Sequence, residues 1–133
     1  MSAEPDAARA FLSTMTLRLL DDSLRLRLSP DEVRQLREAG TVEAATHVGP
    51  GDVLRYAVRA ADVDRLAARF DGATLAVLVP RERVAAWATG DVGGVRGTQN
   101  VGDGRTLAIL AETDLGCDHD RPRRARDTDG ARP

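Results

Sequence analysis

The amino-acid sequence predicts a mainly β, α+β domain, and three observations lead to this fold class. Residues 23–28 alternate strictly, with leucines on one face and arginines on the other, which is the pattern of a half-buried strand. A helix start follows at once, because Ser29 and Glu32 form a Ser-x-x-Glu capping box around a proline at the first helical position. The same order of elements recurs 51 residues further along, so that Leu24 aligns with Leu75. We therefore predict a tandem ββαββ pseudo-repeat with two short helices.

The first half, residues 15–61, is predicted to hold two hairpins around one helix. The helix spans residues 30–39, and Gly40 ends it as a residue that tolerates positive φ. Glycine and proline mark the turn of the second hairpin. The predicted strands are residues 16–20, 23–28, 41–48 and 53–59.

The second half, residues 62–115, repeats this order, with a helix that Pro80 opens and Gly90 ends. Its predicted strands are residues 65–70, 74–79, 92–97 and 106–113. Apolar alternation can match itself by chance, but helix stops and turn residues also align here, which favours a true duplication. Neither half covers both faces of its hairpins alone, so we expect the halves to interlock as a single barrel-like domain.

The ends of the chain lack this patterning. Residues 1–14 are predicted to be a flexible leader, and translation from Met1 or from Met15 fits the pattern equally. Residues 116–133 are polar and charged without a period, which is typical of a disordered tail. The domain itself is predicted to span residues 15–115.

Composition narrows the possible functions. The net charge of −2 gives no overall attraction to nucleic acid or to an anionic membrane. The single cysteine, Cys117, excludes an internal disulfide framework and fits a reducing compartment. No signal peptide and no apolar run of membrane-spanning length is present, so we expect a cytoplasmic protein. Separately, we expect no cofactor.

The stretch from Leu17 to Leu28, Leu-Arg-x4-Ser-Leu-Arg-Leu-Arg-Leu, resembles a family of short, uncharacterised bacterial proteins. The similarity extends from Met15 to about Pro122 and includes an acidic residue before a Cys-x-x-x-Arg-Pro ending. The family is a domain of unknown function, so the resemblance implies no activity.

A second resemblance is to the MazE/AbrB-type swapped-hairpin barrels, in which two ββαββ chains interlock as a dimer. The matching residues are Ser23-Leu24, Ser29-Pro30 and Gly51-Asp52, while Asp21-Asp22 stands where those proteins have a Gly-Asn turn. The resemblance implies that this chain fuses the two halves of such a dimer. A chain that carries both halves can cover its own strand edges, so we expect a monomer.

The candidate binding residues are Arg18, Arg25 and Arg27, which cluster on the outer face of the first hairpin. Arginine forks match carboxylate and phosphate oxygens, so a partner or DNA-phosphate surface is one interpretation. A solvated strand face that pairs with acidic neighbours is the other. The acidic turn Asp21-Asp22 adjoins the cluster and disfavours nucleic acid.

A metal site has weaker support in the sequence. Cys117 and His119 are candidate ligands, with His47 far away in the chain. A structural zinc site needs four protein ligands, which one cysteine and two histidines do not supply. We therefore predict no bound metal, with the Cys117/His119 metal site kept as an alternative.

The sequence contains no clustered acid–base pair, no complete catalytic triad and no phosphate-binding loop. We therefore predict a non-enzymatic protein that binds a protein partner or acts as a regulatory module. An antitoxin-like, DNA-binding transcriptional regulator is the alternative function.

Overall fold

A computed structural model describes residues 14–115, and these residues follow the predicted order of elements. Two helices and eight strands account for most of them. The strands are β1 (Thr16–Leu19), β2 (Ser23–Leu28), β3 (Thr41–Gly49), β4 (Asp52–Ala61), β5 (Ala67–Phe70), β6 (Thr74–Pro80), β7 (Gly94–Gly102) and β8 (Arg105–Thr113). The helices are α1 (Pro30–Ala39) and α2 (Arg81–Ala88).

Each of the two four-stranded sheets combines a hairpin from the first half with a hairpin from the second. The first sheet has the order β1-β2-β8-β7, and the second sheet has the order β3-β4-β6-β5. Exchanging the two halves converts one order into the other. The hairpins are antiparallel, whereas the pairs that join the halves, β2·β8 and β4·β6, are parallel. The halves therefore interlock, and neither sheet exists without both.

The core lies between the inner faces of the two sheets and the helices. Leu24, Leu26 and Leu28 of β2 are buried, while the intervening arginines point outward, as the alternation predicts. The core is aliphatic apart from Trp87 of α2, whose indole Nε1 donates to Thr113 Oγ1 at 2.8 Å. This bond ties the second helix to the end of β8.

Helix α1 begins with the predicted capping box. Ser29 Oγ accepts from the backbone N–H of Glu32 at 3.2 Å, and Glu32 Oε1 accepts from the N–H of Ser29 at 2.8 Å. Gly40 ends the helix at a φ of +85°, where its N–H donates to the carbonyl of Leu36. The sequence therefore predicts both ends of this helix correctly.

Glu32 has a second role that the capping pattern does not predict. Its side chain is fully buried, and Oε2 accepts from the backbone N–H groups of Thr14 at 2.8 Å and Met15 at 3.1 Å. The hydroxyl of Thr14 also donates to Oε1. One carboxylate thus starts the helix and fixes the segment that leads into β1.

Two hairpins extend past the parallel pairings that hold them in their sheets. The pairing of β4 with β6 starts at Arg55 opposite Thr74, and that of β2 with β8 starts at Ser23 opposite Ala108. Residues 46–54 are therefore a two-stranded extension of the second sheet, the β3–β4 arm. Residues 99–107 form the corresponding β7–β8 arm of the first sheet.

A side-chain amide joins the two sheets at one corner. Gln99 of β7 donates from Nε2 to the carbonyl of Ala68 at 3.0 Å and accepts at Oε1 from the Ala68 N–H at 2.7 Å. The amide thus takes the place of a neighbouring strand on the edge of β5. At the opposite corner Thr46 occupies the corresponding place, and no backbone hydrogen bond joins β1 to β3 within residues 14–115.

The predicted α+β, mainly β class with two short helices is confirmed, although the strands form two sheets and no pairing closes them into one barrel among the described residues. Residues 98–102 lie beyond the predicted strand 92–97, but they continue β7 because the turn is confined to Asp103 and Gly104. The strand predicted from residue 65 starts only at Ala67. The predicted leader and tail lie outside the described residues, except for Thr14.

Candidate functional site

The outer face of the first sheet, here called the arginine face, is the most distinctive surface of the described residues. Strand alternation sends every second side chain of its four strands away from the core. Its members are Thr16, Arg18, Ser23, Arg25, Arg27, Arg96, Thr98, Ala108, Leu110 and Glu112.

The strand register places three of these arginines in one row across the sheet. Arg18 lies opposite Arg25, Arg25 lies beside Leu110, and Leu110 lies opposite Arg96. Neighbouring strands are about 4.8 Å apart, so the row from Arg18 to Arg96 spans about 14 Å. Two hairpins that are far apart in sequence therefore contribute to one basic row.

Glu112 neutralises part of this charge. Its Oε2 lies 2.5 Å from Arg25 Nη2 and accepts from Arg25 Nε at 2.7 Å. Arg27 Nε lies 3.2 Å from the same oxygen, but the angle is unfavourable and this buried N–H makes no hydrogen bond within residues 14–115. Arg27 Nη2 lies 3.9 Å from Asp114 Oδ1. The carboxylate of Glu112 thus lies near both guanidinium groups but forms hydrogen bonds only with that of Arg25.

Gly94 completes the row that contains Arg27 and Glu112. A Cβ atom at Gly94 would lie 2.3 Å from the carbonyl oxygen of Ala111 and 2.7 Å from the Cα of Glu112. Only glycine therefore allows β7 to approach β8 this closely beside the carboxylate.

The two ends of the basic row remain available. Arg18 and Arg96 are exposed, and neither makes an ion pair or hydrogen bond with another described residue. The arginine face therefore combines a neutralised centre with two unpaired positive ends.

A shallow groove of about 460 Å³ crosses this face. Arg25 and Arg96 flank it, and small or apolar side chains form its floor. The residues that line it are Ser23, Leu24, Arg25, Arg96, Gly97, Thr98, Ala108, Ile109 and Leu110. Its shape and charge suit an extended segment that carries carboxylates or phosphates beside small side chains.

The acidic turn at the end of the arginine face is strained. Asp21 and Asp22 have φ angles of 40° and 57°, and the N–H of Leu20 donates to the carbonyl of Ser23 across them. Two successive positive φ values are typical of a type I′ hairpin turn, which favours Asn and Gly. Asp22 Oδ2 lies 3.2 Å from Arg105 Nη1, whereas Asp21 makes no ion pair with the described residues.

The predicted site residues Arg18, Arg25 and Arg27 therefore share one face, and the structure adds Arg96 to them. The sequence could not assign Arg96, because its place depends on the parallel register of β2 and β8. His47 is exposed, and residues 14–115 contain no group of three or more potential ligands for a metal ion. Cys117 and His119 lie outside the described residues.

A second concavity, of about 390 Å³, lies between the two helices. Val33 and Trp87 line it together with the turn after α2 and Leu115. Its polar lining residues are Arg34, Thr89, Asp91 and Thr113, so its charges are of both signs, whereas the arginine face presents a row of one sign. The arginine face is therefore the better candidate for recognition.

Comparison with known proteins gives a family but no activity. Neither a curated protein nor a solved structure matches the chain, so the similarity to MazE/AbrB-type barrels is not confirmed. Within residues 14–115, neither helix has the length and apolar character needed to cross a membrane. A profile described as a family of unknown function, DUF7009, matches residues 15–129. The predicted membership of a domain-of-unknown-function family is thereby confirmed, and the chain belongs to DUF7009.

Proposed function

We propose that this protein is a non-catalytic, cytoplasmic binding module whose arginine face recognises an acidic, extended segment of a protein partner. The observation that carries the proposal is the row in which Arg18, Arg25 and Arg96 lie across the first sheet beside an open groove. Guanidinium groups bind carboxylates through paired hydrogen bonds, so such a row selects for spaced acidic side chains.

An acidic protein fits this face better than a nucleic acid does. The chain has a net charge of −2, so the long-range attraction that drives phosphate binding is missing. Asp21 and Asp22 stand at one end of the face and would repel a continuous phosphate backbone. Leu110 and Ala108 on the groove floor favour a peptide with apolar or small side chains between its acids.

A binding role rather than catalysis also follows from the residue types on the arginine face. Its described members include no histidine or cysteine, and Glu112 is held between two arginines. A general base or nucleophile needs a partner that activates it, and the described arginine face offers no such group beside Glu112.

The test compares two labelled probes: a peptide of alternating glutamate and alanine, and a DNA duplex of random sequence. The variant Arg18→Gln/Arg96→Gln removes the two unpaired charges. Its matched control, Arg55→Gln/Arg69→Gln, removes two exposed arginines from the second sheet. We expect the first pair to weaken peptide binding about tenfold and the control pair to leave it unchanged.

Three results would contradict the proposal. DNA could bind more tightly than the peptide, the control pair could weaken binding as much as the test pair, or the wild-type protein could bind neither probe. Circular dichroism of each variant establishes that the fold is retained, as expected for arginines whose side chains bond to no other residue of 14–115.

We also infer that the chain arose by internal duplication of a ββαββ unit. Two features support this: exchanging the halves interconverts the strand orders of the sheets, and Met15 and Leu66 are buried in equivalent places before β1 and β5. The arginine row is not duplicated as a whole: Arg69 takes the place of Arg18 on the second sheet, but Ala76 and Leu78 take the places of Arg25 and Arg27. The proposed binding surface therefore belongs to the first sheet alone.

A further inference from the structure

Strand β3 presents a long outer edge to which no other strand of residues 14–115 pairs. It spans nine residues and is an outer strand of the second sheet, and at its start the Thr41 carbonyl accepts from Gln35 Nε2 of α1. Its four consecutive residues from Ala45 to Val48 are exposed, and Val48 is 68% exposed. Proteins usually protect such edges with lysine, proline, bulges or a covering segment. Along β3 the only irregularity is the bulge beside Gly49, at the turn.

We propose that two copies of this chain pair antiparallel along β3, so that their second sheets join into one eight-stranded sheet. Unpaired N–H and C=O groups on the outer side of β3 would then bond to the same groups of the second copy. The contact is isologous, because the same strand serves both copies.

The side chains of β3 define the register of this pairing. With the twofold axis at Ala45, Glu43 of one copy, which binds Arg59 of its own chain, lies opposite His47 of the other on the outer face. On the inner face, the exposed Val48 of one copy lies opposite Val42 of the other, which is buried in its own core. Shifting the axis to Ala44 or Thr46 loses both pairs. Ala45 itself is small enough to face its own copy without a clash.

The same register supports the β3–β4 arm. Residues 46–54 form a two-stranded extension, and an isolated ribbon of this kind is marginally stable in water. In the dimer, residues 46–48 of one copy pair with residues 42–44 of the other. The arm of each copy therefore lies against the body of its partner.

The corresponding edge of the first sheet does not offer this contact. Gln99 of β7 bonds to both backbone groups of Ala68, which places β5 beside this edge. The sequence predicts a monomer on the premise that two fused halves cover all their own edges. Among residues 14–115 no strand lies beside the outer edge of β3, and the proposed dimer is the alternative to the predicted monomer.

A cysteine at the axis tests the register directly. In an antiparallel pair, opposite Cα atoms are about 4.5–5.5 Å apart, which is within disulfide range. We expect Ala45→Cys/Cys117→Ser to give a covalent dimer under mild oxidation. The control Thr98→Cys/Cys117→Ser places an exposed cysteine on β7 in the other half, and we expect it to remain uncrosslinked.

Sedimentation of the full chain tests the dimer without a crosslink. We expect a concentration-dependent mass of twice 14.3 kDa. Ala45→Lys places two ammonium groups opposite each other at the axis, and we expect it to raise the dimer Kd about tenfold or more. Thr98→Lys is the control, and we expect it to leave the Kd unchanged.

The proposal is overturned if the wild-type mass stays at 14.3 kDa at every concentration. It also fails if Ala45→Lys and Thr98→Lys dimerise equally well, or if the two cysteine variants crosslink to the same extent.

Discussion

At the scale of single residues, the turn between β1 and β2 carries an avoidable strain. Asp22 has a φ of 57°, a conformation that disfavours side chains with a Cβ atom. The sequence shows only that two aspartates replace a more usual turn pair, and the structure explains why that replacement matters. We expect Asp22→Gly to raise the free energy of unfolding by about 0.5–1 kcal/mol.

Urea denaturation measures this change, with Asp91→Gly as the control at a position without positive φ. Asp91→Gly should leave the free energy of unfolding unchanged or lower it. A loss of stability in Asp22→Gly would mean instead that the exposed pair between Asp22 and Arg105 outweighs the relief of strain.

The buried Glu32 is the second residue whose chemistry determines stability. Ser29→Ala removes one cap bond and should cost about 1 kcal/mol. Glu32→Gln should cost more, about 2–3 kcal/mol, because its new NH₂ group faces donors where an oxygen accepted two bonds.

Thermal or urea unfolding of the two variants, with Ser23→Ala as the control serine outside a cap, tests this order. If Ser29→Ala proves the more damaging of the two, the carboxylate does not hold the segment before β1 as described.

At the scale of elements, one side chain joins the sheets at the corner of β5 and β7. We expect Gln99→Ala to lower the free energy of unfolding by about 1–2 kcal/mol, because the backbone N–H and C=O of Ala68 both lose their hydrogen-bond partner. Thr46→Ala is the matched control on β3, where the described part of the chain shows no such bond, and it should change stability little. Equal losses in both variants would contradict the assigned role of Gln99.

The turn between β5 and β6 makes stability depend on pH. Hydrogen bonds from the backbone N–H of Thr74, and then from that of Ala73, lower the pKa of Asp71 from its ordinary value of 3.8. A carboxyl with a lowered pKa in the folded state stabilises the fold above its unfolded pKa. That contribution is lost as the pH falls through the folded pKa.

Comparing wild type with Asp71→Asn isolates this contribution. The difference in their unfolding free energies should be constant near neutral pH and shrink as the pH falls below about 4. A difference that stays constant in acid would show that the two hydrogen bonds do not depend on the charge of Asp71.

The elements were predictable from the sequence because their signals are local. The alternation of Leu24, Leu26 and Leu28 predicts β2, and the Ser29 box with Gly40 predicts α1. The bridge made by Gln99 and the place of Arg96 were not predictable, because each depends on which hairpins become neighbours. That choice is made by packing between residues far apart in sequence.

At the scale of the whole molecule, charge is divided between surfaces. Arginines concentrate on the outer faces of the sheets, whereas many of the acids lie in turns and helices, among them Asp21, Asp22, Asp31, Asp62, Asp64, Asp71, Asp91 and Asp103. A chain with a negative net charge thereby presents a local basic face. Arg18, Arg25 and Arg27 were predictable from alternation within one hairpin, but the full row depends on the interlocking of both halves.

Reversing the charge of Arg25 and Arg27 is a less selective test of this face than their outward orientation suggests. Both contact Glu112, so acidic replacements would repel that carboxylate and weaken the sheet as well as any binding. Arg18 and Arg96 avoid this ambiguity because they have no partner among the described residues.

The most direct test of the binding face is an NMR titration of the uniformly labelled protein with the alternating glutamate–alanine peptide. We predict that the largest backbone shift changes fall on β1, β2, β7 and β8, centred on Arg25, Leu110 and Arg96, with little change on β3 to β6. Shift changes centred on the second sheet, or on the groove between Val33 and Trp87, would contradict the account.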